Sequence, residues 1–237
     1  MQQLLPPQKI QGVLPLTLGA SINAVLKFLE RILPLFAQEY GSKTKNEADL
    51  NEDLCHIIQD QKRENDFFYF IPEKYQGGNR RVDFGVFMEQ KSEDLLAFKV
   101  RDGNGRKIQF FAMEGKRLPT PKKNDKRDLR EYVCSNGGAM QRFKVNQHGV
   151  GLSQSAIIAY VQEEDFVYWY QQINEWISDL AEQNTDVNIV WTTDEILKEY
   201  SPPFDHTPVL ARYYSDNTKT GDNINSTIKL HHFWVMM

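Results

Sequence analysis

A single mixed α/β domain is the fold class this sequence predicts, and three observations predict it. Two stretches with helical spacing of apolar residues precede any strand pattern. From Phe67 onward, apolar runs of strand length are separated by turn residues. Helical periodicity then returns at Phe166–Leu180, between further strand-like runs. The 237 residues are enough for one sizeable core, and 41% hydrophobic with 25% charged residues is the composition of an ordinary globular protein.

Ile22, Val25, Leu26, Leu29, Ile32, Leu33 and Phe36 recur at three- and four-residue intervals, so residues 21–40 are predicted to form an amphipathic helix. Pro34 should kink or shorten it. A second helix is expected over Asn46–Gln61, with Leu50, Leu54, Ile57 and Ile58 on its apolar face. Phe67–Ile71 and Arg81–Phe87 read as strands around Gln76-Gly77-Gly78-Asn79, and Leu95–Arg101 and Lys107–Lys116 as two more joined at Asp102-Gly103-Asn104-Gly105. Asp128–Cys134 and Ala139–Val145 have helical character, Ala156–Val161 is strand-like, and the aromatic face of the Phe166–Leu180 helix belongs in a core. Val187–Trp191 reads as a strand, Thr193 as the N-cap of a short helix to Tyr200 ended by Pro202-Pro203, and Val209–Tyr214 with Thr227–Met236 as a closing strand pair.

The formal net charge of -4 does not advertise nucleic-acid binding, but it is unevenly spread. Between Lys116 and Arg130, seven basic residues face only Asp125 and Asp128, so a cationic segment sits on an acidic body. Such a segment suits either a phosphate-tracking surface or a solvated loop. Cys55 and Cys134 fit neither a disulfide framework nor a zinc pattern. No stretch approaches the length of a membrane span, and the Val13–Ala20 run is a poor signal segment, so the expectation is a cytoplasmic protein.

On an alternating strand Ile108, Phe110, Ala112, Glu114 and Lys116 share one face, which makes Glu114 and Lys116 project together. By itself this pair reads first as a salt bridge at a strand end. Asp83 shifts the balance, because it interrupts a second apolar strand, and a buried carboxylate is costly unless it is paired or bound to metal. Two such acids make an oxygen site suited to Mg2+, and Lys116 beside them could orient a water and offset charge on a scissile phosphate. Glu47 lies on the inward face of the second helix and is the candidate for a further metal ligand or base; Glu52 is its exposed alternative. An ordinary first-turn acid favoured by the helix dipole remains the other reading of Glu47.

The order of acid-bearing helix, Asp strand, hairpin, Glu-x-Lys strand, helix and strand resembles the PD-(D/E)xK nuclease superfamily over Asn46–Val161, with Val82 where that family has its motif proline. The resemblance implies a restriction-endonuclease-like core, a central mixed β-sheet flanked by helices, over residues 45–161. A helical extension would occupy residues 1–44 and an α/β elaboration 162–237. It also implies Asp83 and Glu114 as ligands of Mg2+, with Mn2+ able to substitute, Lys116 as the water-positioning residue, and Glu47 assisting. The tract from Glu131 to Val161 is similar, more loosely, to bacterial restriction-endonuclease-like proteins, some of them associated with phage defence. Arg117, Lys122, Lys123, Arg142 and Lys144 are the cations expected to meet a nucleic-acid backbone, DNA ahead of RNA. The expected function is Mg2+-dependent hydrolysis of DNA phosphodiesters. The alternative is a nuclease-fold subunit of a defence complex, inactive alone, meeting a partner or a second copy through its N-terminal helix.

Gly151-Leu152-Ser153-Gln154-Ser155 lacks the last glycine of a nucleophile elbow, and no phosphate-loop pattern surrounds Gly103 or Gly105. His231 and His232 must point to opposite faces of one strand, while His148 and His206 lie in loop contexts from which they could approach the site.

Overall fold

The Thr17 hydroxyl accepts the Ala20 amide and so caps helix α1 (Leu18–Tyr40), whose predicted inner face is buried from Ile22 to Phe36. Pro34 does not shorten it: the helix continues for six residues beyond, held by the burial of Leu33 and Phe36. Asn46 caps α2 (Glu47–Gln61) by accepting the Asp49 amide, and Leu50, Leu54, Ile57 and Ile58 are buried against α1 and the sheet. The computed structural model describes residues 16–77, 80–120, 128–135, 138–183, 189–201, 206–220 and 226–237.

Strands β1 (Phe68–Gly77), β2 (Arg80–Met88), β3 (Phe111–Leu118), β4 (Gln154–Val161), β5 (Leu210–Thr218) and β6 (Thr227–Met236) form one mixed sheet in the order β1-β2-β3-β4-β6-β5. Pairing is antiparallel for β1–β2, β2–β3 and β5–β6, and parallel for β3–β4 and β4–β6. Helices α1 and α2 cover one face; α3 (Ala139–Lys144) and α4 (Phe166–Gln183) cover the other. The alternation of β4 shows the layering, since Ala156, Ile158 and Tyr160 enter the first core and Ile157, Ala159 and Val161 the second. The protein is thus α/β, with a six-stranded mixed sheet between helical layers.

Several expectations give way to tertiary structure. Leu95–Arg101 is not a strand: a 3-10 turn over Gln90–Leu95 leads into irregular chain. The segment makes only single bridges among the described residues, Leu96 to Leu16 and Arg101 to Lys107, and no ladder with the sheet. The predicted turn after it does form, with Asp102 accepting the amides of Asn104 and Arg106. Asp128–Cys134 is a run of turns, because the carbonyls of Glu131, Tyr132 and Val133 accept from Ala139, Met140 and Gln141 instead of from their own segment. Thr193 opens only a 3-10 turn to Glu195, and the residue before it, Thr192, gives its amide to the Glu195 carboxylate. Residues 189–191 of the predicted Val187–Trp191 strand are not in a strand, and Pro202-Pro203 lies outside the described residues.

The N-terminal helix and the C-terminal strand pair are also more central than an extension and an elaboration. Val25, Leu29, Ile32 and Phe36 are fully buried within the chain's own core, and β6 pairs with β4 over its whole length. No described helix is long and apolar enough to cross a membrane.

Candidate functional site

The β2–β3 ladder runs Val86↔Phe111, Gly85↔Ala112, Phe84↔Met113 and then stops. The next residues would be Asp83 and Glu114, so both acids stand where the sheet parts. On β2 the parting shows as a change of face: Val82 belongs to the α3–α4 core while Phe84 belongs to the α1–α2 core, although an unbroken strand would put both on one side. Asp83 Oδ2 turns to the opposite strand and accepts the Gly115 amide at 2.7 Å, replacing the missing rung.

Strand β3 alternates as predicted from Phe111 on. Ala112 and Leu118 pack in the second core, which places Glu114 and Lys116 between them on the same side. The alternation does not reach back as expected, because Phe110 packs with Phe111 in the first core, and Ile108 precedes the strand. Lys116 Nζ lies 2.8 Å from Glu47 Oε1 and 3.5 Å from Glu114 Oε1. An amine from one layer thus meets a carboxylate from the helix of the other, through the gap between β2 and β3.

Gly115 makes that approach of α2 possible. A Cβ at this position would stand 2.2 Å from Asn51 Oδ1 and 3.1 Å from the Tyr160 ring, and Asn51 Oδ1 already accepts the Tyr160 hydroxyl at 2.6 Å. Gly115→Ala is expected to lower stability by about 1–3 kcal/mol through overpacking; chemical denaturation checks it, and an unchanged midpoint would contradict this account of the glycine.

The two strand acids have opposite electrostatics. Burial, and then the negative charge of Glu114, push the Asp83 carboxyl up to about 8, with Lys116 and the Gly115 amide pulling the other way. Burial would raise Glu114 as well, but the His148 ring, Lys116 and Arg142 outweigh it and hold that carboxyl below its usual range. Lys116 is held above the usual range: burial favours its neutral form, but the carboxylates of Glu114, Glu47 and Asp83 prevail. Lys116 therefore serves as a charged donor and not as a base.

The partners of Glu114 arise from residues read differently in the sequence. Arg142, expected at a phosphate, gives Nη1 to Glu114 Oε1 at 2.9 Å. His148, 2% exposed, places Nδ1 3.1 Å from Glu114 Oε2, out of line for a hydrogen bond, so neither atom has a hydrogen-bond partner. The two arrive together because the amides of Gln147 and His148 both bond the Arg142 carbonyl, which wraps the chain around the carboxylate. Lys219 fixes the next loop by donating to the carbonyls of Gly149 and Leu152. The sequence signal for these partners was slight: a cation at the end of a short helix and a histidine six residues on.

Of the other predicted cations, Arg117 donates to the Lys45 carbonyl at 3.2 Å, and Lys122 and Lys123 lie outside the described residues. Lys144 is not a surface contact; it is fully buried in an ion pair with Glu195. His231 and His232 face opposite sides as expected, bonded to Tyr200 and Tyr132, and burial lowers both rings to about 3. His206 stays away from the site, against the Arg212 carbonyl.

A groove of about 430 Å3 between α2 and the first hairpin opens onto Asp83 and Glu47, with Glu52 and Glu73 also on its wall. Glu52 is exposed, in keeping with its place as the outer alternative to Glu47. An anion entering this groove meets only acids, so phosphate would need an accompanying cation. The donor set fits a hard divalent cation. Asp83 is half-buried and Glu114 fully buried at the positions where the ladder stops, the charge of Glu114 is felt at Asp83, and Glu114 Oε2 is buried without a hydrogen bond. Among the described residues no three His, Cys, Asp or Glu side chains form a ready cage; Mg2+, usually held by one or two carboxylates with water and substrate, requires none. Glu47 is engaged with Lys116 and lines the groove with Asp83, whereas Glu114 lies deeper and is not on its wall.

The raised Asp83 carboxyl has a consequence for stability. The folded chain holds this proton more tightly than the unfolded chain, so the contribution is complete below about pH 4 and is lost as pH rises toward 8. Asp83→Asn, which keeps an acceptor for Gly115, should therefore gain stability over the parent across that window, by several kcal/mol at pH 8 without divalent cation. Urea titrations at pH 4.5, 6 and 8 test this, and a constant difference between the two proteins would refute it.

No model of a protein family matches this chain, and no curated protein or solved structure matches it at a significant level.

Proposed function

We propose that this chain is a Mg2+-dependent nuclease that hydrolyses DNA phosphodiesters, with the PD-(D/E)xK type of site anticipated from its sequence. The observation that carries the reading is the meeting of Asp83, Glu114, Lys116 and Glu47, from three separate elements, at the one place where β2 and β3 part. Lys116 and Arg142 already meet Glu47 and Glu114, which leaves Asp83, bonded to the Gly115 amide, as the acid that an added cation would offset.

Asp83 and Glu114 would hold the metal. When bound, it lowers the pKa of a coordinated water and offsets charge on the phosphoryl group. Lys116 stays protonated and donates toward that water or a phosphate oxygen, Glu47 orients the ammonium from the groove side, and Arg142 with His148 keeps Glu114 ionised and fixed. A role in defence against foreign DNA rests on the resemblance of the Glu131–Val161 tract.

A second reading, a nuclease-fold subunit that is inactive alone, draws on the same geometry. Glu114 already meets Arg142 and Lys116, and the groove is acidic, so a partner would have to bring the cations that engage nucleic acid. Incubating the purified chain with DNA and RNA, with Mg2+, Mn2+ or chelator, separates the two. Metal-dependent cleavage supports the enzyme; metal binding with no cleavage of any substrate supports the subunit. Metal binding itself is read from thermal stability, since a ligand at a hundred times its Kd adds about 2.7 kcal/mol. Mg2+ should raise the melting temperature of the parent and leave that of Asp83→Asn unchanged.

A further inference from the structure

The parallel strands β3 and β4 end side by side at Leu118 and Val161, and a cavity of about 620 Å3 lies just beyond them, walled by the first turns of α4. The carboxyl ends of parallel strands are where open α/β sheets take ligands, and the volume is in the small-molecule range of about 300–1,000 Å3. It is distinct from the acidic groove: the two share no lining residue.

Its chemistry is aromatic and of mixed charge. Tyr168, 43% exposed, packs edge-on to Trp169, and Trp169 packs in turn on Trp176, giving a stepped aromatic wall. Arg117 lies at its edge with Nε buried and without a hydrogen-bond partner. Lys43 on the rim is balanced by Glu163 and Glu164, while Arg130 and Asp128 stand 3.5 Å apart as a pair. A bare anion would find as many acids as bases here. A flat ring with donors and acceptors on its edge finds a stacking surface, the Arg130 guanidinium and carboxylates.

We infer that this cavity binds a nucleobase, receiving one unstacked base of a single-stranded nucleic acid. The strand that delivers the base is supplied by the nuclease reading, on which this part rests; the affinity for a nucleoside does not depend on it. The placement fits such delivery. Arg117 follows Lys116 on β3, and both Arg117 and Gln162 bond the Lys45 carbonyl, two residues before Glu47. The base cavity and the phosphate site therefore flank one short stretch of chain.

The test is titration of the full-length chain, in chelator, with adenosine and cytidine monophosphates, following tryptophan fluorescence. Saturable quenching is expected, weakened about tenfold or more by Tyr168→Ala, whose exposed ring can be removed without loss of core, and unchanged by Asp83→Ala. Ribose 5-phosphate should not compete. Absence of saturable quenching, full competition by ribose 5-phosphate, or an affinity indifferent to Tyr168→Ala would each overturn the inference. Nucleotide binding without any DNA cleavage would sustain this site while refuting the nuclease; cleavage without nucleotide binding would do the reverse.

Discussion

Lys116→Ala is expected to reduce metal-dependent DNA cleavage by roughly 10^2–10^3-fold, the loss typical of one preorganised donor at a developing charge. Asp83→Ala should abolish it, because the cation then loses one of only two strand carboxylates. The effect of Lys116 is doubled by its structural place. Its ammonium lies between Glu47 and Glu114 with 6% of its side chain exposed, and removing one partner of a buried ion pair costs about 3–5 kcal/mol. The metal-free variant should therefore melt well below the parent, and Mg2+ should restore part of the difference by supplying the missing positive charge. Cleavage of labelled DNA and thermal denaturation, each with Mg2+ and with chelator, separate the two losses. Metal-dependent cleavage that survives both substitutions would end the assignment of this site.

Glu195→Gln is expected to be among the most destabilising single changes in the chain, by about 3–5 kcal/mol, with no bearing on the candidate site. Lys144 and Glu195 are 0% and 1% exposed in their side chains, and among the described residues the ammonium is further supported by the Thr218 carbonyl at 3.0 Å and the Trp191 ring. Burial already lowers the Lys144 pKa, with Glu195 opposing it, so loss of the carboxylate leaves a charge that must be released or solvated. The substituted side chain would keep an acceptor for the Thr218 amide but set its NH2 against the Thr192 amide, so loss of that one hydrogen bond adds to the loss of charge. The double variant Lys144→Met with Glu195→Gln should be more stable than Glu195→Gln alone. Urea denaturation of the four proteins measures the coupling, and strict additivity would refute it.

How far the sequence could be read depended on whether a feature was local. Helical spacing located α1, α2 and α4, and apolar runs of strand length located β2, β4 and β6 closely and β5 to within four residues at its end, because each pattern is carried by the element's own residues. Leu95–Arg101 has the composition of a strand but makes only isolated bridges, to Leu16 and Lys107, in place of a ladder, which its own residues do not foretell. Asp128–Cys134 failed because its carbonyls were claimed by residues eight positions on.

The site divides in the same way. By itself the sequence determined that Glu114 and Lys116 share a face, that Asp83 interrupts an apolar strand, and that Glu47 lies on the inward side of its helix, since all three follow from the periods of strand and helix. Only the tertiary structure decided that β2 and β3 part where these acids stand, that Glu47 meets Lys116 through the gap, and that Arg142 and His148 serve Glu114. It also decided that Lys144, alike in sequence to a surface cation, is interior. Those contacts join residues up to 69 positions apart, and which of them form is set by packing across the whole sheet, not by any local pattern.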